Sequence, residues 1–312
     1  MAIELRHLRY FITVAEEGHI TRAADRLGMQ QPPLSQQIKA LEQLLGVQLF
    51  RRKARGVDLT DAGRSLLDDA RGVFAQLDRA VETTRRTARG EEGRICVGVT
   101  PTAPFHPFVP QVIRGFRQSY PLVTLTLEEG LSQDLLRLQN DRIDVAFVRS
   151  RVADAQGLTV TSLFEEPMWV ALPRGHSLIA KDLGALRLKQ LANESFVLYG
   201  PPGSGIHDAT IAACHQAGFS PRIGQLAPRI TSTLGLVAAG LGISLVPESM
   251  RCIKLDGVSY QPLKGAVQPK AVLNLVSRRG DPSAVVRHFV QVVREHLTAF
   301  GVQRHGQGDA GG

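Results

Sequence analysis

The stretch Ala23-Ala24-Asp25-Arg26-Leu27-Gly28, then Gln31-Pro32-Pro33-Leu34-Ser35-Gln36-Gln37-Ile38 and Leu41-Glu42, decides the N-terminal fold. It reads as two short helices and a turn. A helix over 32–45 tolerates Pro32 and Pro33 only in its first turn, and Gly46 is a natural stop. Leu34, Ile38, Leu41 and Leu45 then make one apolar stripe. At about 100° per residue, Pro32, Ser35, Gln36 and Lys39 fall on the opposite side. That face is polar with a single charge, whereas a helix built for solubility more often carries Glu and Lys there. Ser and Gln can both donate to and accept from base edges in a major groove. Just upstream, Ile20-Thr21 reads as a staple residue and an N-cap, Ala23, Ala24 and Leu27 as a buried side, and Gly28 as the stop. An earlier helix, Glu4 to Glu17, is expected to bury Leu5, Leu8, Phe11, Ile12 and Ala15. Three short helices with a tight connection make a helix-turn-helix unit.

Downstream, Leu49-Phe50 leads into Arg51-Arg52-Lys53-Ala54-Arg55-Gly56. Such a run can be a solvated loop. Beside a reading helix it suggests a β-ribbon, or wing, over a phosphate backbone. The span from Leu5 to Gly63, closing on Leu59-Thr60-Asp61-Ala62-Gly63, resembles the DNA-binding domain of LysR-type transcriptional regulators. Its Leu5-Arg6-His7-Leu8-Arg9-Tyr10-Phe11 and Gln31-Pro32-Pro33-Leu34-Ser35 runs look closest to the family's regulators of aromatic-compound degradation. The resemblance implies that Thr21, Arg22, Gln30, Gln31, Pro32, Ser35, Gln36 and Lys39 serve DNA binding, with Arg51, Arg52, Lys53 and Arg55 in the wing. Gln36 stands where many of those relatives carry Arg, so their operator sequence does not transfer.

Composition fits a polyanionic partner. The formal net charge is +8, and residues 20–55 hold Arg22, Arg26, Lys39, Arg51, Arg52, Lys53 and Arg55 against Asp25 and Glu42. Cys96, Cys214 and Cys252 are widely separated, without metal or disulfide spacing, which points to a reducing cytoplasm. Glu4, Arg6 and Arg9 lie where a signal peptide needs an apolar core, and no run is long enough to span a bilayer. Residues 302–312, polar and Gly-rich, are expected to be disordered.

Between the halves, residues 61–89 lack proline, and Leu66, Ala70, Val73, Leu77, Ala80 and Thr84 alternate spacings of four and three, a heptad seam. Such a helix can pack on its own residues 5–17 or on a second chain, and the residues alone leave both open. The family resemblance implies a dimerising linker helix, hence two reading helices about one DNA turn apart on a two-fold-related operator. Arg89-Gly90-Glu91-Glu92-Gly93 reads as a hinge.

Past residue 93 the pattern alternates strands (95–99, 122–128, 143–148, 169–172, 196–199, 243–246 and 272–276) with helices such as 110–119 and one near Asp134. This is an α/β arrangement with mostly parallel strands expected. In such sheets ligands sit beyond the carboxyl ends of strands. That rule selects Thr100, Thr102, Arg149 and Tyr199, and the loop Gly200-Pro201-Pro202-Gly203-Ser204-Gly205, whose backbone N–H groups at a helix start can hold a carboxylate. An ordinary turn is the other reading of the loop. A structural pairing with Asp141 or Asp144 is the other reading of Arg149. The resemblance implies a two-lobed effector domain similar to type 2 periplasmic-binding proteins, crossed near Ser162 and Gly265. It adds Leu131 and Ser132, where aromatic-pathway relatives often place a ligand-binding Thr, together with Arg229 and Thr231.

The domains expected are therefore a winged helix-turn-helix over 3–60, a linker helix over 61–89 and an effector-binding domain over 91–301. Its lobe I comprises 93–162 and 266–301, and its lobe II 163–265. The function expected is a sequence-specific DNA-binding transcriptional regulator. A small anionic metabolite, aromatic or dicarboxylate, modulates it from the interlobe cleft. The alternative is a small-molecule-binding α/β protein or enzyme with an accessory DNA-binding domain. No nucleophile elbow, Walker loop, zinc spacing or dinucleotide fingerprint is visible, and His106, His176, His207 and His215 have no evident carboxylate partner in sequence. No catalytic residue, metal or cofactor is expected. The expected partners are an operator duplex, the effector, further copies as a dimer of dimers, and RNA polymerase, with no membrane.

Overall fold

The computed structural model describes residues 2–136, 142–152, 156–180 and 184–308, with side chains to Phe300. It divides into two units, Met1–Arg86 and Thr87–Gly312.

In the first unit, α1 (Leu5–Glu17), α2 (Ile20–Arg26) and α3 (Gln31–Leu45) precede a hairpin of β1 (Phe50–Lys53) and β2 (Gly56–Leu59), and α4 (Asp61–Arg89) follows. Phe11, Val14, Ala23, Ala24, Leu34, Ile38, Leu41 and Leu49 form the core. The buried face of α1 is turned from the expected one. His7, Phe11 and Val14 recur at four and three and point inward with Thr13, while Leu5 is exposed. His7 is tolerated there because its Nδ1 accepts the Glu4 N–H. The α2 N-cap is likewise His19, not Thr21. His19 takes extended backbone and its Nδ1 accepts the Thr21 N–H, so Thr21 already lies inside the helix.

Two polar side chains fix the turn into the wing. Glu42 Oε1 accepts the Leu49 and Phe50 N–H groups at 2.8 and 3.2 Å. Thr60 Oγ1 accepts the Gly63 N–H and donates to the Gln48 carbonyl, capping α4. Gly56 has φ +99°, and a Cβ there would overlap the Gly18 carbonyl. The hairpin can rest against the α1–α2 turn only because that residue is glycine. The 29 residues of α4 run about 44 Å at 1.5 Å per residue. Within this unit Ala70 is buried, whereas Val73, Leu77 and Val81 are exposed.

The second unit contains β3 (Glu92–Val99), α5 (Phe108–Ser119), β4 (Leu122–Glu129), α6 (Ser132–Leu135), β5 (Val145–Val148), β6 (Leu158–Pro173), α7 (Ser177–Ala180), β7 (Leu186–Arg187) and β8 (Ser195–Tyr199). It continues with α8 (Gly205–Gln216), β9 (Arg222–Ala227), α9 (Ile230–Ala238), β10 (Ser244–Pro247), β11 (Val258–Lys264), β12 (Lys270–Arg278) and α10 (Ala284–Gly308). The main sheet runs β4-β3-β5-β12-β6-β11-β7, with β10 also on β6 and a separate β8–β9 pair. Among the described residues three apolar clusters result, the smallest around Leu135, Ile143, Ala146, Val148 and Val276, and two are larger. One lies under α5 and α10 around Phe108, Phe116, Phe147 and Phe289. The other lies under α8 and α9 around Phe196, Leu234 and Leu245.

The expected preponderance of parallel strands does not hold. Among the described residues, β3/β4, β3/β5, β8/β9 and β7/β11 are parallel. However, β6/β10, β6/β11, β5/β12 and β6/β12 are antiparallel. The cause is β6, a 16-residue strand that serves both cores and returns against β12. Their register breaks opposite Leu273/Asn274, passing over Leu163. At the end of the chain α10 carries helical backbone through Gly308, where an unstructured tail is expected from 302. No proline stops the helix there, and residues 309–312 lie outside the described residues.

Candidate DNA-reading face and effector cleft

In α3 the apolar stripe Leu34, Ile38 and Leu41 is buried, so the opposite face is free. Gln31, Pro32, Gln36 and Lys39 are exposed and Ser35 is half-buried. Gln31 Nε2 donates to Ser35 Oγ at 2.8 Å, which orders two of the candidate groove-facing side chains in advance. Gln30 is the exposed N-cap of α3. Thr21 and Arg22 are exposed on α2, and Arg22 donates to the Glu17 carbonyl. The wing exists as a hairpin, with Arg51, Arg52, Lys53 and Arg55 all exposed.

An acid missed in sequence shapes that wing. Asp58 lies opposite Arg51 in the hairpin register. Its Oδ2 stands 2.9 Å from Arg51 Nη2 and 2.9 Å from Lys53 Nζ. Hydrogen bonds from Lys53 and Arg51 hold its carboxyl down at about 2. Alternation along β1 and β2 could have revealed it, since Arg51, Lys53 and Asp58 must share one face.

In the second unit, the strand-end rule brings most of its candidates together. Thr100, Thr102, Leu131, Ser132, Arg149, Tyr199 and Ser204 line one cavity of about 20 Å³, with Pro101, Gly205 and Ile206. Thr102 Oγ1, Ser204 Oγ and Arg149 Nε are buried and without a hydrogen-bond partner among the described residues. Burial pushes the Tyr199 phenol up to about 12, with Glu129 adding to it, so the hydroxyl keeps its proton. Pro201, Pro202, Arg229 and Thr231 are exposed and do not line this cavity. Arg229 caps α9 from extended backbone that carries its side chain outward. Gly203 lines a different cavity.

Arg149 has a partner that sequence reasoning did not name. Its Nη1 donates to Glu166 Oε1, and both side chains are buried. Its Nη2 reaches the Thr102 carbonyl and Ser249 Oγ, both at 3.3 Å. Ser249 in turn donates its N–H and hydroxyl to Glu166 at 2.7 and 3.0 Å. Of the acids expected beside Arg149, Asp144 instead pairs with Arg278 at 2.9 Å, and Asp141 lies outside the described residues. Glu166 stands with Glu165 between apolar residues in Leu163-Phe164-Glu165-Glu166-Pro167-Met168-Trp169, a pair of charges inside a strand that was visible in sequence. The α8 start is also partly taken, because Asp208 Oδ1 accepts the Gly203 N–H at 2.9 Å. Of the histidines, His176 does find a carboxylate, Glu194 at 3.4 Å. Among the described residues no group of three or more His, Cys, Asp or Glu could hold a metal, and no helix is long and apolar enough to cross a membrane.

A reading helix with a basic wing thus precedes an α/β unit with a polar cleft. Residues 5–64 match the family model of bacterial regulatory helix-turn-helix proteins of the lysR family, and residues 88–298 match the LysR substrate binding domain. The chain belongs to the LysR family. It is 39% identical over 292 residues to the HTH-type transcriptional regulator BudR of Raoultella terrigena, covering 93% of this chain and 100% of the relative. With CatR of Pseudomonas putida it is 36% identical over 296 residues, covering 94% and 99%. Full-length CbnR, crystallised with its target DNA, superposes with a TM-score of 0.80 at 30% identity, covering 95% of this chain and 100% of that one. The protein is accordingly a LysR-type DNA-binding transcriptional regulator with an effector-binding domain.

Proposed function

We propose that the effector of this LysR-type regulator is a small metabolite presenting a carboxylate or similar acceptor group to the interlobe cleft, and that it is bound without being turned over. The observation that carries this is the convergence of Thr102 Oγ1, Ser204 Oγ and Arg149 Nε, three buried polar groups with unmet hydrogen bonds facing one cavity. The full charge of Arg149 does not select the ligand, because Glu166 already balances it. Recognition rests on directed donors. A cavity of about 20 Å³ holds little more than one water molecule. A larger effector therefore requires the walls to part, and its binding favours the parted state by mass action.

Self-association belongs to the same reading. Val73, Leu77 and Val81 lie exposed along α4, and Leu122, Leu127, Ile223 and Leu226 along β4 and β9. Two separate apolar surfaces suit a dimer of dimers, which would set the spacing of the reading helices on an operator in reach of RNA polymerase. Thermal shift of the full chain against simple, dicarboxylic and aromatic carboxylates tests the effector reading. A compound that raises the midpoint should lose most of its effect in Thr102→Val and Ser204→Ala. Undiminished shifts in both variants would place the effector elsewhere.

A further inference from the structure

The second unit has a polar-walled cavity apart from the cleft. It has a volume of about 490 Å³ and lies between α8 and the segment joining β11 to β12. That size is within the range of small-molecule sites, roughly 300–1,000 Å³. Its walls carry opposite charges. Arg151 follows β5 and Lys270 opens β12, while Asp208 stands on α8. The two cations share one acid, Glu165, with Lys270 Nζ at 3.1 Å and Arg151 at a loose 3.9 Å. Ser150 Oγ, on the same wall as Arg151, is buried and has no hydrogen-bond partner among the described residues. Between the charged walls run Ala209, Ala212, Ala213, Val267 and Val272, an apolar floor.

We propose that this cavity is a second small-molecule site, for an amino acid with a compact apolar side chain. The carboxylate would meet Arg151, Lys270 and the Ser150 hydroxyl. The ammonium would meet the Asp208 carboxylate, whose other oxygen holds the Gly203 N–H. The side chain would lie along the alanines of α8. A simple anion satisfies only one wall and faces Asp208, and a simple amine faces Arg151 and Lys270. Only a zwitterion is complementary to both. The site goes beyond the cleft reading and stands whether or not the cleft holds an effector. The two cavities are neighbours, however, since Arg149 and Gly205 line both.

The test is isothermal titration of the full-length protein with alanine, valine, leucine and phenylalanine. Isocaproate and isoamylamine serve as the two halves of leucine. At least one amino acid should bind in the micromolar-to-millimolar range, and each half should bind at least about tenfold more weakly than leucine. Lys270→Gln and Asp208→Asn should each weaken the amino acid about tenfold, and Ala212→Phe should abolish binding by filling the floor. Thr102→Val should leave it unchanged. Should Ala212→Phe fail to fold, as judged by circular dichroism, the two charge variants still decide. The proposal is overturned if none of the four amino acids binds below 10 mM. Isocaproate matching leucine would overturn it too, as would binding that survives the charge variants. Binding lost in Thr102→Val but kept in the charge variants would assign the ligand to the cleft instead.

Discussion

Arg149 and Glu166 form a buried ion pair beside the candidate effector cleft, each side chain only 3% exposed. Burial pulls the Arg149 guanidinium below its usual value, and the Glu166 carboxylate opposes that pull. Removing one partner leaves a charge stranded in a low dielectric, which costs about 3–5 kcal/mol in comparable sites. Glu166→Gln should therefore destabilise the second unit by that order. The double variant Arg149→Met/Glu166→Leu should be milder, because no charge is stranded. Trp169, the single tryptophan, lies on β6 close to Glu166, so its fluorescence through a urea titration reports this unit. Equal losses in the two variants would mean that packing, not charge, dominates.

Asp58 offsets part of the positive charge of the wing. It holds Arg51 and Lys53 on one face of the hairpin, and Arg52 and Arg55 carry no ion pair among the described residues. Asp58→Asn should raise affinity for random duplex and steepen the salt dependence, since each added phosphate contact contributes about 0.9 to the slope of log K against log salt. The ratio of operator to random affinity should fall. Titration fixes the sign of the acid effect. The folded pKa of about 2 lies below the usual 3.8, so the pair supports the fold above pH 4 and is lost as pH falls toward 2. An unchanged salt slope in Asp58→Asn would show that phosphate displaces Asp58 without penalty.

Much of this was legible in sequence wherever one period governed a segment. The stripe Leu34, Ile38 and Leu41 and the run from Arg51 to Arg55 are local patterns, and the reading face and wing followed from them. The strand-end rule picked out Thr100, Thr102, Arg149, Tyr199 and Ser204, which line one cavity, because each ends a strand or lies in the loop that follows one. Glu166 and Ser249 escaped because their pairing joins residues 83 apart in the chain, a relation that no local period encodes. The antiparallel half of the sheet escaped for a similar reason, since a strand crossing between cores looks the same as one that stays. Leu5 was put on the buried face and the α2 N-cap two residues too late, points that buried His7 and capping by His19 decide and hydrophobicity alone does not.

Gly205 is a close approach between α8 and the end of β5. A Cβ there would overlap the Arg149 carbonyl and crowd Ser150 Cα, while a Cβ at Gly72 in α4 would meet nothing within 4 Å. The same substitution should act in opposite directions at the two sites. Gly205→Ala should destabilise by about 1–3 kcal/mol through overpacking and blunt any effector-induced thermal shift, since α8 can no longer seat on β5. Gly72→Ala should stabilise α4 by about 0.5–1 kcal/mol by restricting the unfolded chain and favouring the helix. Denaturant midpoints of the two variants check this directly. A neutral Gly205→Ala would show that α8 shifts without cost.

Val73, Leu77 and Val81 are 43%, 37% and 41% exposed along α4. Three large apolar residues at successive turns leave water only if something covers them, whereas α1 meets α4 through Glu16 on Arg71 and Arg9 over the Phe74 ring. Leu77→Arg places a charge in the middle of that stripe without touching the buried core of the first unit. If a second copy covers the stripe, sedimentation of the variant should show a smaller species at micromolar concentration. Affinity for a two-fold operator should then fall steeply, because the two reading helices are no longer tethered. Affinity for an isolated half-site should stay within about twofold, since α3 and the wing are untouched. An unchanged mass with intact operator binding would show that the stripe is not where the copies meet.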